Sequence, residues 1–451
     1  MMNYKNKYIN NEILIIGLGK TGKAIANFFK KLNVKIYFWD DKKINLKNTN
    51  NRKIQPFKFK EKRITDFDEI FVSPGVNKQH FLIKEAIKKK LIIKNDIDLF
   101  WEIQKLKRHS KKIVGVTGTN GKSTISLMIS KVLKTKPLGN FGNSILKALE
   151  TKEKNIVVEL SSFQLDYINN FSPNIAIISN IEKDHINHHK TFKKYLEAKK
   201  NIFRHQNKED FLILNFDDKN NKNLLVSKRK IKSRIVLISN KSFLKKGITI
   251  ANDKLIDNYF SKKEYTLRYS KFLNLKHNKV NLGISFAALR ILGLDANHIL
   301  KKLSYFRGLP HRLELLGNIN NIDFFNDSKA TNVAATCSAL GAFDKVILIA
   351  GGSDKGDNFN PLKKYKDIIF ETFLFGETAF KISDSLHGSK NNICSDLDDA
   401  VIKSFNLSIT SGKFYPILFS PACASYDSYI NFEKRGEHFK RIFKKIKKEA
   451  A

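Results

Sequence analysis

The stretch "GVTGTNGKST", Gly115 to Thr124, follows the apolar run "KKIV" and precedes the apolar pattern "ISLMISKVL". This order predicts a buried strand, a glycine-containing turn and a helix. In such a turn backbone N–H groups face an anion, a lysine reaches phosphate oxygens and a hydroxyl meets Mg²⁺. The general phosphate loop has glycine where Val116 stands, so this is a variant of it. We predict an ATP and Mg²⁺ site formed by Gly118, Thr119, Asn120, Gly121, Lys122, Ser123 and Thr124.

Short apolar runs that end in Gly, Ser, Asn or Asp recur along the chain, and many precede a stretch of helical length. The runs are "EILIIGLG", "VKIYFWDD", "EIFVSPG", "LIIKNDIDLF", "KIVGVTG", "NIVVELSS", "NIAIISN", "FLILN", "RIVLISN", "IDFFNDS", "KVILIAGG", "IFETFLFG" and "YPILFSPA". Buried parallel strands alternating with helices produce this pattern. A chain of 451 residues also exceeds one ordinary core. We therefore predict an α/β protein with three successive α/β domains, residues 1–108, 109–308 and 309–451, divided near "EIQKLKRHSKK" and "FRGLPHR".

The net charge is +39, from 82 basic and 43 acidic residues, which is typical of proteins that bind nucleic acid or anionic membranes. The lysines are spread over the whole chain instead of gathering in one segment, so we expect neither partner. The N-terminus "MMNYKNKYINNE" lacks the apolar core of a signal peptide, and no apolar run is long enough to cross a bilayer. Three widely separated cysteines fit a reducing compartment. We expect a cytoplasmic monomer.

A second glycine-rich turn, "GLGKTG" from Gly17 to Gly22, fits the spacing G-x-G-x-x-G and is followed by Asp40 in "YFWDD". Alone, this fingerprint favours an NAD-linked dehydrogenase. The same strand, turn and helix could equally hold the diphosphate of a uridine-diphosphate sugar. From the residues by themselves both alternatives stay open.

Polar side chains follow two further apolar runs. Glu159 ends the run in "VVELSSFQLD", and Asp184 and His185 follow the run in "NIAIISN". The carboxyl ends of parallel strands meet at one edge of a sheet, so these groups are candidates for holding Mg²⁺ on a triphosphate. Without further context, a structural role for His185 and a solvated position for Lys199 remain open.

The motifs "GTNGKS", "ELSSFQL" and "NI-x-x-DH", in this order, resemble those of the Mur ligase family. The resemblance implies a Rossmann-like UDP-binding domain, a central P-loop ATPase-like domain and a Rossmann-like C-terminal domain. It also implies ligation through an acyl phosphate, with ATP and Mg²⁺. Family metal ligands correspond to Ser123, Glu159, His185 and Lys199, the last after carbamylation. The family usually reads "DHLDRH" where this chain has "DHINHH", which puts His188 in place of arginine.

The C-terminal stretch "SPACASYDSYINFEKRGEHF", Ser420 to Phe439, is similar to the branch of this family that adds D-glutamate to UDP-N-acetylmuramoyl-L-alanine. A ligase for another amino acid is the nearest alternative. The resemblance implies that UDP-muramoyl contacts are Gly17, Leu18, Gly19, Lys20, Thr21, Asp40, Asp41, Ser73, Pro74, Gly75 and Asn140. It adds Asn278, Asn281, Arg312 and Asp327 to the ATP contacts, and it assigns Thr331, Lys355, Ser425 and Phe432 to D-glutamate. The implied catalytic residues are Lys122, Asn140, His185, Lys199 and Lys329.

Overall fold

The computed structural model describes residues 7–42, 54–106, 110–226, 231–267, 276–306 and 308–450. The chain divides into two compact units, which we describe separately. The first comprises Met1–Leu267 and Val280–Leu303, and the second comprises Arg268–Lys279 and Ser304–Ala451. The first unit contains two of the three sheets, and the second unit contains the third.

The first sheet is parallel throughout, with the order β3-β2-β1-β4-β5. Its strands are β1 (Glu12–Ile16), β2 (Lys35–Trp39), β3 (Ile54–Pro56), β4 (Glu69–Val72) and β5 (Ile93–Lys94). Along β1, Ile13 and Ile15 enter one apolar cluster, whereas Leu14 and Ile16 enter another. Successive side chains of a strand point to opposite faces, so this sheet is covered on both sides. Its helices are α1 (Lys20–Phe29), α2 (Phe81–Lys88) and α3 (Asp96–Lys105).

The second sheet has the order β14-β13-β12-β11-β10-β9-β6-β8-β7. Its strands are β6 (Lys112–Thr117), β7 (Leu138–Gly139), β8 (Asn155–Glu159), β9 (Ile175–Ile178), β10 (Phe211–Asn215), β11 (Arg234–Ser239), β12 (Ile248–Ala251), β13 (Lys254–Asp257) and β14 (Lys263–Thr266). The pairs from β7 to β12 are parallel, while β12, β13 and β14 form an antiparallel extension. The parallel part therefore presents the carboxyl ends of β9, β6 and β8 side by side.

The helices that accompany the second sheet are mostly short. They are α4 (Lys122–Leu133), α5 (Ser162–Asp166), α6 (Ile186–His189), α7 (Phe192–Lys200), α8 (Lys219–Val226), α9 (Lys276–Ile291) and α10 (Ala296–Ser304). One apolar cluster contains residues of both the first and second sheets, among them Ile15, Ile156 and Leu212, together with Phe100 of α3. This shared core explains why the two sheets belong to one compact unit.

The third sheet has the order β15-β16-β20-β17-β18-β19 and is parallel except for the β15–β16 pair. Its strands are β15 (Glu314–Ile319), β16 (Ile322–Asn326), β17 (Val346–Gly351), β18 (Ile369–Phe375), β19 (Asn391–Ile393) and β20 (Ile417–Phe419). Its helices are α11 (Val333–Leu340), α12 (Ala379–Ser385), α13 (Leu397–Ser411) and α14 (Phe432–Glu449). Separate apolar clusters cover its two faces.

The predicted fold class is confirmed, and each quoted apolar run contains a strand. The sequence analysis missed the antiparallel strands β12 to β14 and the edge strands β3, β7, β15 and β19. The charged stretch taken as a domain divider begins inside α3, which continues to Lys105. The domain boundaries themselves stay a prediction. Among the described residues, no helix combines the length and apolar character that a bilayer crossing requires.

Candidate nucleotide and substrate site

The turn between β6 and α4 has a backbone that only glycine accommodates at two positions. Gly118 has φ 149°, and a Cβ built there would lie 1.9 Å from the Ser179 hydroxyl oxygen. Gly121 has φ 81°, and its Cβ would lie 2.8 Å from Asn281 Oδ1. Positive φ angles of this kind favour glycine because other residues meet steric strain. The turn therefore brings its backbone close to β9 on one side and α9 on the other.

Hydrogen bonds fix this turn to the segment after β9. Thr119 donates its N–H to the Asn180 carbonyl at 2.9 Å, and Asn120 donates its N–H to Asn180 Oδ1 at 2.8 Å. Glu182 donates its N–H to Thr119 Oγ1 at 2.9 Å. The turn is thus held in place, and α4 begins directly after it at Lys122. The first N–H groups of a helix have no acceptor within the helix and favour anions.

Two lysines meet at one carbonyl oxygen of this turn. Lys122 Nζ lies 3.1 Å from the Gly118 oxygen and 2.8 Å from the Thr119 oxygen. Lys199 Nζ lies 2.6 Å from the same Gly118 oxygen. The Lys199 residue is only 2% exposed, and burial together with the nearby Lys122 charge lowers its pKa to about 7. A substantial fraction of Lys199 is therefore a neutral amine near pH 7.

The Glu159 carboxylate lies at the end of β8, next to the turn. It is 1% exposed, and its Oε1 accepts a hydrogen bond of 2.7 Å from Asn140 Nδ2. Its other oxygen, Oε2, is buried without a hydrogen-bond partner. A buried carboxylate oxygen without a partner is unfavourable unless a cation or donor meets it. Together with the hydroxyl of Ser123 on the first turn of α4, this donor set fits Mg²⁺.

His185 lies in the segment after β9, with φ 51° at the start of α6. Its side chain is about half exposed, and its Nε2 lies 3.3 Å from Asp184 Oδ2. Because β9, β6 and β8 are neighbours, the sheet brings the segments carrying His185, Lys122 and Glu159 to one edge. This is the arrangement that the sequence analysis required of them.

A cavity of about 700 Å³ lies between the first and second sheets of the first unit. Of the residues predicted to bind the UDP-muramoyl substrate, those lining it are Gly17, Gly19, Lys20, Thr21, Asp40, Asp41, Ser73, Pro74, Gly75 and Asn140. Leu18 contributes through its backbone, because its N–H donates to Asp40 Oδ2 at 2.7 Å. The cavity joins the glycine-rich turn after β1 to Asn140, the hydrogen-bond partner of Glu159. Contact with a uridine nucleotide stays a prediction.

Several cavity residues were missed by the sequence analysis. Trp39, His80, Ser161, Phe163 and Gln164 also line it. His80 Nε2 and Trp39 Nε1 both lie within 3.1 Å of Asp41 Oδ1, which orders this part of the wall. No common signal marked them in the sequence, because Trp39 ends β2, His80 directly precedes α2 and Phe163 lies on α5.

Two side-chain hydrogen bonds connect the first-sheet region to the loop after β7, which follows the cavity residues Gly139 and Asn140. Lys20 donates to the Gly142 carbonyl, and Ser144 Oγ donates to Asp96 Oδ2 at 2.7 Å. Asp96 opens α3 and is fully buried, which raises its pKa to about 6. The loop after β7 is therefore joined to the start of α1 through Gly142 and to the start of α3 through Ser144.

The predicted adenine-nucleotide residues Asn278 and Asn281 both lie on α9. Asn281 lies beside Gly121 in the phosphate turn, because a Cβ built on Gly121 would lie 2.8 Å from Asn281 Oδ1. Asn278 is buried and falls in the segment assigned to the second unit. Its contact with a nucleotide remains a prediction.

In the second unit, Asp327 follows β16 and is buried. Its Oδ2 accepts a hydrogen bond of 2.8 Å from Ser420 Oγ, and its Oδ1 accepts one of 3.0 Å from the Leu313 N–H. Burial raises the pKa of Asp327 to about 7. Arg312 is exposed nearby and favours the charged form of Asp327. Binding of ATP by Arg312 and Asp327 stays a prediction.

Lys329 and Phe432 are brought together, because the Lys329 ammonium lies 3.8 Å from the centre of the Phe432 ring. Burial and the charge of Arg312 lower the pKa of Lys329. Thr331 is half-buried two residues further on. The structure thus brings Lys329 and Phe432 into contact, and the roles of Lys329, Thr331 and Phe432 stay predictions.

Lys355 and Ser425 lie on two other loops of the second unit. The Lys355 ammonium lies 4.9 Å from the centre of the exposed Tyr426 ring, directly after Ser425. Ser425 is buried, and its carbonyl accepts a hydrogen bond of 2.7 Å from the Tyr429 N–H. Their contact with D-glutamate stays a prediction.

The sequence analysis missed Arg435, which is 0% exposed on α14. Its guanidinium donates to the carbonyl oxygens of Ser328, Cys423 and Ala424 at 3.0, 2.9 and 2.9 Å. Ser328 directly precedes Lys329, and Cys423 and Ala424 directly precede Ser425. The signal was available, because Arg435 occupies a position of the apolar face that continues with Phe439.

Two family models match the chain. The model described as the Mur ligase middle domain matches residues 116–289, and the one described as the Mur ligase MurD-like N-terminal domain matches residues 11–94. Among solved structures, the fold is similar to MurF ligase from Thermotoga maritima in complex with ADP, with a TM-score of 0.57 and 16% identity, covering 100% of this chain and 98% of that one. It is also similar to MurC from Thermotoga maritima, with a TM-score of 0.54 and 20% identity over 97% and 100% of the two chains. Fold and site together define a Mur ligase.

Curated relatives narrow this class. UDP-N-acetylmuramoylalanine–D-glutamate ligase of Rickettsia bellii is 34% identical over 95% of this chain and 96% of its own length. The ligase of the same name from Clostridioides difficile is 34% identical over 95% and 97% of the two chains. The chain belongs to the UDP-N-acetylmuramoylalanine–D-glutamate ligase family. The glycine-rich turn after β1 lies inside the matched N-terminal domain, so the NAD-linked alternative loses its basis.

Proposed function

We propose that this protein joins D-glutamate to UDP-N-acetylmuramoyl-L-alanine with hydrolysis of ATP, as a step of peptidoglycan precursor synthesis. The observation that carries the proposal is the position of Asn140. It lines the cavity of about 700 Å³ and donates to Glu159 beside the phosphate turn. A sugar nucleotide in this cavity would thus extend its acyl end towards the γ-phosphate of ATP. The names of the curated relatives support the choice of substrates.

ATP would bind with its phosphates against the turn from Gly118 to Gly121 and the first turn of α4. Lys122, which now lies against two carbonyl oxygens of the turn, would move to the phosphate oxygens. Asn281 borders the turn at Gly121. We assign Asn278, Arg312 and Asp327 to the same nucleotide, as the family resemblance implies.

Mg²⁺ would be held by Ser123, Glu159 and His185, and by Lys199 after carbamylation. The buried, unpartnered Oε2 of Glu159 supports this assignment. When bound, the ion supplies positive charge that offsets the negative charge of the triphosphate. Burial and the nearby positive charge of Lys122 lower the pKa of Lys199 and so favour its neutral amine. This supports the carbamate, because a neutral amine reacts with CO₂ whereas an ammonium does not.

The substrate carboxylate would first accept the γ-phosphoryl group, which gives an acyl phosphate and ADP. The amine of D-glutamate would then attack the acyl carbon, and phosphate would leave. Lys122 and Arg312 offset negative charge on the transferred group, and Lys329 does so at the acyl carbon. Asn140 orients the acyl end. Thr331, Lys355, Ser425 and Phe432 would hold D-glutamate.

We further propose domains at residues 1–108, 109–308 and 309–451, and a monomer that works in the cytosol. The three separate sheets support the three domains. The cysteines Cys337, Cys394 and Cys423 are all free thiols, which supports a reducing compartment.

The test is to measure ADP release by the purified protein with ATP, Mg²⁺, UDP-N-acetylmuramoyl-L-alanine and one amino acid at a time. We expect turnover with D-glutamate, and none with L-alanine or meso-diaminopimelate. Lys122→Ala should lower kcat by at least about 100-fold, because it removes charge stabilisation at the transferred phosphoryl group. Lys136→Ala, an exposed lysine after α4, is the matched control. Turnover of Lys122→Ala close to that of Lys136→Ala would reject the ATP assignment.

A further inference from the structure

A cluster of metal-ligating side chains lies outside the site described above. Asp166 ends α5, and His188 and His189 end α6. One carboxylate oxygen and one ring nitrogen from each histidine lie within 4.8 Å of one another. None of the three lines the cavity of about 700 Å³ or contacts the phosphate turn in the hydrogen bonds described for them.

A second cavity adjoins this cluster. It has a volume of about 440 Å³ and is lined by all three residues of the cluster. A cavity of this size has room for several water molecules, which can complete the coordination of an ion. Opening to this cavity also gives an ion a route from solvent.

We propose that Asp166, His188 and His189 form a binding site for a divalent transition-metal ion of the Zn²⁺ type. Two imidazoles and one carboxylate, with a water molecule as the fourth ligand, are a donor set that suits Zn²⁺ or Co²⁺ better than Mg²⁺, which prefers oxygen alone. The proposal does not rest on the proposed ligase activity.

The surroundings of the ligands fit this chemistry. His189 Nε2 lies 2.9 Å from Ser162 Oγ, and a metal-bound histidine usually uses its second nitrogen in such a bond. A carboxylate has two oxygens, so Asp166 can bind a metal through one and keep its 3.0 Å ion pair between Oδ1 and Lys78 through the other.

Positive charge around the cavity opposes the ion. Lys78, Lys190, Lys194 and Arg204 line it, whereas the acidic residues that line it are Asp166 and Glu197. Like charges at short range disfavour a cation. We therefore expect affinity in the micromolar range, well below that of structural zinc sites. Removing Lys78, the cation paired with Asp166, should strengthen binding.

A bound ion would join the ends of α5 and α6. α5 carries Phe163 at the substrate cavity, and α6 begins directly after His185. Cross-linking two short helices should raise the melting temperature of the protein when the metal is present.

The experiment is a titration of the full chain with Co²⁺, in saturating Mg²⁺, followed by visible absorbance and by the melting temperature. We expect one Co²⁺ with a d–d band, displaced by Zn²⁺. His188→Ala and Asp166→Asn should weaken binding at least about tenfold. His188→Arg should also weaken Co²⁺ binding at least about tenfold. Because arginine is the usual family residue at this position, this variant is expected to fold and so separates loss of the site from misfolding. Lys78→Met should bind Co²⁺ more tightly.

Two controls separate this site from the remaining metal ligands. His298→Ala removes an exposed histidine elsewhere and should leave binding unchanged. Glu159→Gln removes a candidate Mg²⁺ ligand and should also leave the Co²⁺ band unchanged. The proposal is overturned if Co²⁺ fails to bind, if His188→Ala and His188→Arg bind as the unmodified protein does, or if Glu159→Gln alone abolishes the band.

Discussion

At the scale of single residues, burial changes what a side chain can do. Lys199 illustrates this, because it is one of 82 basic residues and only the family resemblance distinguishes it in the sequence. In the fold it is 2% exposed, bonded to the Gly118 carbonyl and close to a second ammonium. Burial and the neighbouring positive charge, and not any property of the lysine side chain itself, favour the neutral amine.

Replacing Lys199 by Ala should lower ligase turnover by about 100-fold, because it removes the proposed carbamate ligand of Mg²⁺. A short-chain carboxylate such as acetate should restore part of the rate by filling the same position. ADP release with all substrates measures both effects. Lys200→Ala, a half-buried neighbour paired with Glu197, is the control. Full activity of Lys199→Ala would reject the carbamate.

Asp327→Asn should change how stability depends on pH. The pKa of Asp327 is about 7 in the folded protein and 3.8 as the ordinary value, so the folded state holds a proton that the unfolded state releases. The unfolding free energy of the unmodified protein therefore falls as pH rises from about 4 to about 7. The amide removes this contribution, which amounts to at most about 1.4 kcal/mol per pH unit.

Urea unfolding of Asp327→Asn and the unmodified protein between pH 4 and 8 gives the difference in their free energies of unfolding. We expect the variant to gain relative stability with rising pH up to about 7, and no further change above it. A difference that does not vary with pH would show that Asp327 is ionised throughout.

At the scale of elements, α14 combines packing with the support of two loops. Phe439, Ile442, Phe443 and Ile446 cover one face of the third sheet. Arg435 continues the same apolar face but donates to backbone carbonyls beside Lys329 and Ser425. Burial lowers its pKa to about 10, so it remains charged at pH 7. One helix thus fixes both loops of the proposed amino-acid site.

Arg435→Met should destabilise the second unit by about 3 kcal/mol, because it leaves buried carbonyls without donors. Arg441→Met, an exposed arginine on the same helix, should change stability by less than about 0.5 kcal/mol. Chemical unfolding of both variants gives the comparison. Equal stability of the two variants would contradict this expectation and would mean that water molecules donate to the three carbonyls in place of the guanidinium.

Long apolar strands were predictable at this scale and short antiparallel ones were not. Each quoted run contains a strand because a buried parallel strand needs continuous apolar residues. β12 and β13 have four residues each, and Asn252 and Asp253 between them were the only hairpin signal. Arg435 was recognisable as a charged residue on an apolar helix face, but the carbonyls it binds are distant in sequence and could not be predicted. The contribution of Phe163 to the cavity likewise depends on residues distant in sequence.

At the scale of the whole molecule, the net charge of +39 is typical of a nucleic-acid-binding protein, but the distribution of the lysines along the chain argues against that interpretation. The lysines occur in all three sheet regions and in most helices. A nucleic-acid site needs a coherent basic surface on one face. The charge therefore indicates nothing specific about a partner.

We expect filter binding of duplex DNA at about 0.15 M salt to give a dissociation constant no lower than about 10⁻⁶ M, the non-specific background of a basic protein. Affinity should fall steeply as salt is raised. A dissociation constant near 10⁻⁸ M at this salt concentration would instead indicate a dedicated nucleic-acid site.

The hydrogen bonds that hold the loop after β7, beside the large cavity, have a thermodynamic consequence. Lys20 with Gly142, and Ser144 with Asp96, join this loop to the starts of α1 and α3 before any ligand arrives. Association with a sugar nucleotide then costs less conformational entropy at the loop after β7, because these hydrogen bonds already hold that loop in place. Affinity in such a pocket is set as much by residues that never touch the ligand as by those that do.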